Sequence, residues 1–236
     1  MLYLQAIFQL MKKLFLLLSL ISFLSAKAQI HEIGVFLGGS NSIGDVGPTT
    51  YINPNSSAFG LIYKWNKSPR HSWRFSYNQT SLKANDLDSD EQARVTRGKN
   101  FKNELKEFTF GLEFNFFDFN LHLLDRQITP YIYSGITFLK YDELFILGSD
   151  SRLDYGSTTF AIPITIGVKT NIARNFVLGA EIGARSSFTD NLDGSNPENE
   201  NFTTLRFGNV NNKDWYVFSG MTLTYTFGEK PCYCNN

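Results

Sequence analysis

The sequence contains few of the residue types that build catalytic, metal or nucleic-acid sites. Among 236 residues there are 3 histidines and 2 cysteines, and both cysteines, Cys232 and Cys234, lie near the end of the sequence. There is no excess of basic charge, since Lys and Arg number 22 and Asp and Glu also number 22. Binding to nucleic-acid phosphates requires a basic surface, so we expect no nucleic-acid partner.

Long apolar runs are missing everywhere except at the start of the sequence. A basic segment at Met11, Lys12 and Lys13 precedes the apolar residues 14–24, and residues 26–28 form an A-x-A cleavage pattern. We therefore predict that residues 1–28 are a cleaved signal peptide and that Met11 is the true start. The alternative is an uncleaved helical anchor, for which the run is short. No later run approaches about 18 apolar residues, which excludes a helical membrane protein.

The remaining sequence alternates with a period of two residues, as β-strands do. Large apolar residues stand at every second position from Phe108 to Phe116, with Thr109, Gly111, Glu113 and Asn115 between them. Eight runs of this kind are present, at about 30–40, 58–65, 71–84, 103–116, 128–142, 159–170, 176–188 and 214–227. We predict an all-β fold over residues 29–228, an eight-stranded antiparallel up-and-down transmembrane β-barrel of the outer-membrane type, followed by a short tail over 229–236.

The connections alternate in length, which supports a membrane barrel over a soluble sandwich. Three are short, at 66–70, 117–127 and 171–175, and four are long and polar, at 41–57, 85–102, 143–158 and 189–213. Aromatic residues cluster near the short turns, as in an interfacial girdle: Trp65, Trp73, Phe116, Phe176, Tyr225 and Phe227. We expect the cell outer membrane as the location, with termini and short turns periplasmic and the long, mobile loops extracellular. Outer-membrane lipid is then the surrounding medium.

Charged residues occur in the small or polar face of the strands. Eight strands enclose only enough space for side chains, so this face predicts a packed lumen. Buried charges must be paired, and we expect a structural network of salt bridges there. Its members are Lys64, Arg74, Glu113, Lys169, Glu181 and Arg185. A proton path or a catalytic carboxylate within the same set is the alternative.

No residue pattern supports an enzyme, a cofactor or a metal centre. His31, His71 and His122 all fall near the short turns, whereas enzymes of the outer membrane usually place a nucleophile and its base toward the outer leaflet. Asp86, Asp88 and Asp90 resemble the start of a calcium loop, but Glu91 and Arg97 occupy the positions of its glycine and glutamate. We expect no catalytic residues and no cofactor; weak calcium binding in a surface loop is the alternative for the aspartates.

The two cysteines fall in the predicted periplasmic tail, and the periplasm is oxidising. Because only one residue separates them, a bridge between Cys232 and Cys234 would be strained. We predict a disulfide from one of them to a partner protein; free thiols or the strained local bridge are the alternatives.

The start of the mature chain resembles the PorG family. Residues 31–45 read H-E-I-G-V-F-L-G-G-S-N-S-I-G-D, the Phe-rich fourth strand carries Glu113, and residues 129–135 read T-P-Y-I-Y-S-G. PorG proteins are outer-membrane β-barrels of Bacteroidota and components of the type IX secretion system, which also supports gliding motility. The resemblance implies a structural role, with the PorK/GldK-type ring lipoprotein and the PorN/GldN-type protein as partners, and it implies no catalytic residues.

The longest of the three short turns, residues 117–127, is the predicted docking surface for such a ring. Residues 117–127 contain Asp118, His122, Asp125 and Arg126, and the tail 228–236 would lie beside them. An ordinary amphipathic connection is the alternative for this turn. The alternative for the whole protein is an independent small barrel similar to OmpX or OmpA membrane domains, acting in adhesion or envelope integrity through its extracellular loops.

Overall fold

Eight antiparallel strands close into a barrel, as the alternation of the sequence predicts. The computed structural model describes residues 30–123, 125–209 and 213–228; the predicted signal peptide, Cys232 and Cys234 lie outside them. Each strand pairs with its neighbours in sequence, and the first pairs with the last, which confirms the up-and-down barrel. The strands are β1 (Ile30–Ile43), β2 (Ser56–Asn66), β3 (His71–Asn85), β4 (Asn100–Asn115), β5 (Ile128–Leu147), β6 (Asp150–Ala173), β7 (Phe176–Ser187) and β8 (Trp215–Phe227).

The two faces of the barrel wall differ as the period-two pattern requires. Phe108, Phe110 and Leu112 are exposed on the outside, whereas the intervening Thr109 and Glu113 are buried inside. Aromatic rings contact each other across neighbouring strands on the outer face, for example Tyr77 and Phe108, whose centroids are 4.8 Å apart. An apolar exterior around a polar interior suits a wall that is surrounded by lipid.

Phe36 breaks the predicted small-or-polar inner face, because this large residue points into the lumen and is buried. Its ring lies against Gly38 of the same strand and Gly220 of β8, and a Cβ at either glycine would approach it to 2.9 Å. The same Cβ atoms would come within 2.2 and 2.4 Å of backbone oxygens across the β1–β8 pair. The two glycines therefore make the space that Phe36 fills.

The prediction of a long loop over residues 143–158 is wrong. β5 and β6 are 20 and 24 residues long, and they continue as a hairpin that turns at Gly148 and Ser149. Gly148 adopts a positive φ of 71°, a conformation that glycine tolerates without steric cost. About 9–11 residues suffice for a strand to span the membrane, so this hairpin extends well beyond the apolar wall.

The last long loop, expected to be solvated and mobile, folds into the mouth of the barrel instead. Asn191, Leu192 and Asp193 are buried, and a short 3-10 helix, Glu200–Leu205, follows them. The loop before β4 contains a 3-10 turn, Asp86–Asp88, and one short helix, α1 (Gln92–Arg97). No helix in the described part of the chain is long and apolar enough to cross a membrane.

A hydrophobic core fills the end of the lumen beneath these loops. It joins residues from the loop-end halves of the strands to Val46 and Leu192 from two loops. Its other buried members include Phe36, Leu82, Phe101, Leu105, Leu139, Tyr141, Leu144, Ile146, Tyr216 and Phe218. The lumen is therefore polar toward the short turns, whereas toward the loops apolar side chains are mixed with buried polar ones such as Asn103 and Arg185.

Candidate functional site

A cluster of charged side chains fills the lumen toward the short turns, and Glu113 is its centre. One Glu113 oxygen lies 2.7 Å from Lys64 Nζ, and the other lies 2.6 Å from Lys169 Nζ. Arg74 Nη1 approaches the same carboxylate at 3.5 Å. The carboxylate of Glu113 is fully buried, so the three cations take the place of water around it.

Arg74 connects Glu113 to a second carboxylate across the lumen. Its two terminal nitrogens donate to Glu181 at 2.7 and 2.8 Å, which is a bidentate pair. The Tyr131 hydroxyl donates to the same carboxylate at 2.6 Å, and the Arg74 guanidinium lies 4.6 Å from the Tyr133 ring centroid. We call Lys64, Arg74, Glu113, Lys169 and Glu181 the turn-end cluster.

Arg185, the sixth residue predicted for this network, lies apart from the other five. It donates to Glu107 at 3.2 Å, and the Tyr216 hydroxyl donates to the same carboxylate at 2.8 Å. Sequence reasoning missed Glu107 and also Glu32, which accepts from Asn66 at 2.9 Å and is buried. Both glutamates have the parity of inward-facing neighbours, Glu107 within the predicted run 103–116 and Glu32 within the run 30–40, so the alternation itself would have found them.

The buried charges balance in number from the short turns to the middle of the barrel, whereas Glu143, buried near the loop end of β5, accepts hydrogen bonds from the Tyr141 hydroxyl and the Asn191 amide. Four glutamates, Glu32, Glu107, Glu113 and Glu181, face four cations, Lys64, Arg74, Lys169 and Arg185. These contacts join strands on opposite sides of the barrel, as Arg74 on β3 and Glu181 on β7 illustrate. The arrangement is chemically suited to brace the wall and to close the lumen. Within the described residues, no group of three His, Cys, Asp or Glu is placed to bind a metal ion.

The predicted docking turn, residues 117–127, closes the barrel at the turn end. Phe119 is buried, its N–H donates to the Pro69 carbonyl at 3.1 Å, and its ring centroid lies 5.0 Å from Lys169 Nζ. Asn120 and Gln127 exchange two hydrogen bonds, of 2.7 and 2.8 Å, across the base of the turn. The described residues of this turn therefore cover the turn-end cluster.

The four residues predicted for docking have different surroundings within this turn. Asp118 pairs with Arg70 of the neighbouring turn at 2.5 Å, and both side chains are largely exposed. The Asp125 carbonyl accepts from Asn171 at 2.8 Å, and the side chains of Asp125 and Arg126 are exposed. His122 is half-buried, with its N–H donating to Asn120. Asp118, Asp125 and Arg126 thus present charge to the outside.

Three buried aspartates of the last loop close the opposite mouth; we call Asp190, Asp193 and Asp214 the loop-end carboxylates. Asp193 accepts from the N–H groups of Asp45 and Val46 at 2.7 and 3.2 Å, which ties this loop to the first one. Asp214 accepts from the Leu192 N–H at 2.8 Å.

The loop-end carboxylates lie close together, and this changes their acidity. Burial and the neighbouring carboxylates of Asp193 and Asp45 raise the pKa of Asp190 to about 6. Burial first, and the adjacent carboxylate of Asp193 second, raise the pKa of Asp214 well above its ordinary value. This mouth of the barrel is therefore the part of the molecule that is most sensitive to pH.

Asp86, the first aspartate of the stretch that resembles a calcium loop, forms an ion pair with Arg97. Arg97 donates to both of its oxygens at 2.8 Å, and the Gly47 and Lys99 N–H groups donate at 2.9 and 3.0 Å. Burial alone would raise the pKa of Asp86, but these hydrogen bonds outweigh it and lower that pKa. The carboxylate fixes the second loop to the first, and its oxygens are occupied.

Solved structures with a similar fold are small outer-membrane proteins. Ail, the attachment invasion locus protein of Yersinia pestis, is 13% identical over 85% of this chain and 99% of its own, with a TM-score of 0.45. Neisserial surface protein A is 11% identical over 84% and 97%, with a TM-score of 0.45. OprG from Pseudomonas aeruginosa is 9% identical over 86% and 97%, with a TM-score of 0.41. The strand pairing described above, independently of these matches, establishes the barrel.

Sequence comparisons assign the chain to a family. No curated protein matches it significantly. One family model, DUF6089, described as a domain of unknown function, matches residues 11–236. Because the match extends over nearly the whole sequence, the chain belongs to the DUF6089 family.

Proposed function

We propose that this outer-membrane barrel is a sealed structural anchor, and that it serves the type IX protein secretion and gliding machinery. The single observation that supports an anchor over a channel is the filled lumen. Ion pairs fill the lumen from the short turns to its middle, a hydrophobic core with buried polar side chains fills the rest, and Phe119 and the last loop cover the two mouths. An eight-stranded barrel has no room for a water-filled path beside such contents.

The secretion role comes from the resemblance of residues 31–45 and 129–135 to PorG proteins, and the structure is compatible with it. In the proposed orientation the short turns face the periplasm, where a ring of the PorK/GldK and PorN/GldN type would lie. The turn over residues 117–127 offers exposed charge for docking at Asp118, Asp125 and Arg126, beside the exposed apolar side chains of Phe117 and Leu123. Its exposed charges continue onto the next turn, where Arg126 and Arg174 line one shallow depression.

The proposed role is non-catalytic. Glu113 and Glu181 are occupied by Lys64, Lys169 and Arg74, so neither carboxylate is positioned to accept a proton from a substrate. A carboxylate such as Glu113, which contacts three cations from different strands in a closed lumen, is suited to holding the wall together. This favours the salt-bridge network over the proton path that the sequence left open.

The test is complementation of a deletion strain, with mass spectrometry of the culture supernatant. Loss of the gene is expected to remove cargo proteins with type IX C-terminal signals from the medium and to retain them in the periplasm. A double charge reversal, Asp125→Arg with Arg126→Glu, is expected to restore barrel levels but not full secretion. The matched control reverses Asp150 and Arg152, an exposed pair at the opposite end of the barrel.

Two results would count against the proposal. Normal secretion in the deletion strain would overturn the secretion role altogether. Equal secretion and equal co-purification of the ring lipoprotein with both reversal variants would remove the 117–127 turn as the docking surface.

The second candidate is adhesion or envelope integrity through the loops. It is favoured by exposed large apolar side chains, namely Tyr51, Ile52 and Leu87 in the loops and Leu153 and Tyr155 in the extended β5–β6 hairpin. Apolar residues exposed on loops are common at binding surfaces. Replacing the hairpin residues 144–153 with a short Gly-Ser turn should abolish adhesion in this case and leave secretion intact, whereas the anchor role depends on the turns.

A further inference from the structure

Two lysines face each other on the outer wall where the apolar surface ends. Lys106 on β4 lies directly opposite Lys140 on β5, and both side chains are exposed. A second pair, Lys83 on β3 and Lys102 on β4, lies further from the short turns. Like charges in directly opposed positions destabilise strand pairing. The opposed lysines therefore do not stabilise the sheet, which indicates another function for them.

Acidic residues do not neutralise the first pair. Among the described residues, the ion pairs reach Lys102, whose Nζ lies 3.3 Å from Glu104, but they do not include Lys106 or Lys140. Glu104 and Asp142 are the outward carboxylates next along β4 and β5, and both lie further from the apolar wall. An anion that approaches from the membrane side meets the two lysines first.

An apolar groove begins directly beneath this pair. The outward residues next to the lysines are Phe108 and Phe138, and they line the groove together with Phe110, Ile136 and Tyr77. On the opposite side of the barrel, Trp215 lies in a groove that Arg94 and Lys213 also line, but Arg94 pairs with Glu91 and donates to the carbonyls of Gly44 and Gly47. Two directly opposed lysines above an apolar groove thus lie on the β4–β5 side, where the apolar wall ends.

We propose that Lys106 and Lys140 bind the phosphate of a phosphorylated lipid whose acyl chain lies in the groove beneath them. Two ammonium groups converging on one phosphate form charge-assisted hydrogen bonds, and the groove supplies the contact that a soluble phosphate could not use. The inference is independent of the secretion role, because it concerns the lipid-facing wall and not the docking turn. In the proposed orientation the lipid belongs to the outer leaflet.

The test is native mass spectrometry of the full-length protein in detergent, titrated with dioleoyl phosphatidic acid or dioleoyl phosphatidylcholine. The wild type is expected to retain phosphatidic acid in preference to phosphatidylcholine. Replacing both lysines by glutamine should weaken that retention about 25-fold, given roughly fivefold for each lysine near a membrane surface. Replacing both by arginine should preserve it, because the charge remains.

Further variants separate lipid binding from effects on folding and from binding of free phosphate. Lys106→Glu creates an opposite-charge pair with Lys140, so it should stabilise the sheet and still lose phosphatidic acid. Lys67→Gln with Arg152→Gln removes the same amount of charge away from the groove and should leave the preference for phosphatidic acid unchanged. Equal retention of both lipids, retention by Lys106→Glu, or full displacement by millimolar inorganic phosphate would overturn the proposal.

Discussion

Buried charge is stabilised in two different ways at the two ends of this barrel. In the turn-end cluster, Glu113 and Glu181 contact Lys64, Lys169 and Arg74 at 2.6–2.8 Å in direct ion pairs. The hydrogen bonds to the loop-end carboxylates come from main-chain N–H groups and from Asn196. The first arrangement joins strands within the wall, whereas the second joins loops across the mouth.

The difference indicates which parts of the molecule respond to their surroundings. Ion pairs inside the wall cannot be exchanged for water, so breaking one leaves an isolated buried charge. The loop-end carboxylates are buried close together and repel one another when ionised, so we expect their loop to be the less stable region. A rigid wall with an adjustable mouth suits an anchor that must keep its shape in the membrane.

Glu113→Gln is expected to have the largest effect. The amide leaves Lys64, Lys169 and Arg74 without their central anion, and breaking a buried pair typically costs about 3–5 kcal/mol. The free energy of unfolding should fall by that amount in urea titrations of the protein folded in lipid vesicles. A loss below about 1 kcal/mol would show that the turn-end cluster does not brace the wall.

Leu192→Ala is expected to have the second-largest effect on stability. Leu192 is buried in the loop-end core, and removing such a side chain leaves a cavity that costs about 2–4 kcal/mol. Since Leu192 belongs to a loop, amide exchange in residues 189–209 should accelerate while the strands remain protected. Uniform acceleration throughout the barrel would contradict separate stabilities for wall and mouth.

The pH dependence of the last loop is a smaller effect. The folded pKa of Asp190 is raised to about 6, so the folded loop binds a proton more tightly than the unfolded chain. Stability of the loop therefore falls as the pH rises from about 4 through 6. Exchange in residues 189–209, corrected for intrinsic rates, should be on the order of tenfold faster at pH 8 than at pH 5.

Asp86 provides the internal control for that measurement. Its pKa is lowered, so the stability from its pair with Arg97 is present above the ordinary aspartate pKa and is lost only at lower pH. Residues 86–97 should exchange equally at pH 5 and pH 8. Asp190→Asn should remove most of the pH dependence of the last loop, and a variant that retained it fully would shift the effect to Asp193 and Asp214.

Asp118→Asn is expected to have the smallest effect. It makes the same change from carboxylate to amide as Glu113→Gln, but the pair between Asp118 and Arg70 is exposed. Exposed pairs contribute about 0–1 kcal/mol, so the free energy of unfolding should change little. If Asp118→Asn and Glu113→Gln lowered the free energy of unfolding equally, burial would not explain the stability of the turn-end cluster.

The wall was predictable from the sequence because its pattern is local. The alternation from Phe108 to Phe116 determines which side chains face lipid, and the inward parity of Lys64, Arg74 and Glu113 follows from it. Which of the inward-facing side chains contact each other was harder to predict. Arg74 and Glu181, for example, are separated by 107 residues and come from strands that do not pair. Closing the barrel brings them together.

The mouth was not predictable for the opposite reason. Residues 189–196 are rich in Asp, Asn and Ser, a composition typical of a solvated loop, yet long-range hydrogen bonds bury them. One example is Asn103, which donates to the Leu192 carbonyl at 2.8 Å across 89 residues. The hairpin over residues 144–153 was missed because the register shifts between Glu143 and Leu144, which interrupts the alternation.

Planar-bilayer recording of the purified full-length protein tests the sealed lumen most directly. A lumen occupied by the turn-end cluster and the loop-end core should give no stepwise conductance, either at neutral pH or at pH 8, where the last loop is loosest. Reproducible open steps from the wild-type protein would contradict the sealed anchor and would require a continuous path of water past Glu113 and Leu192.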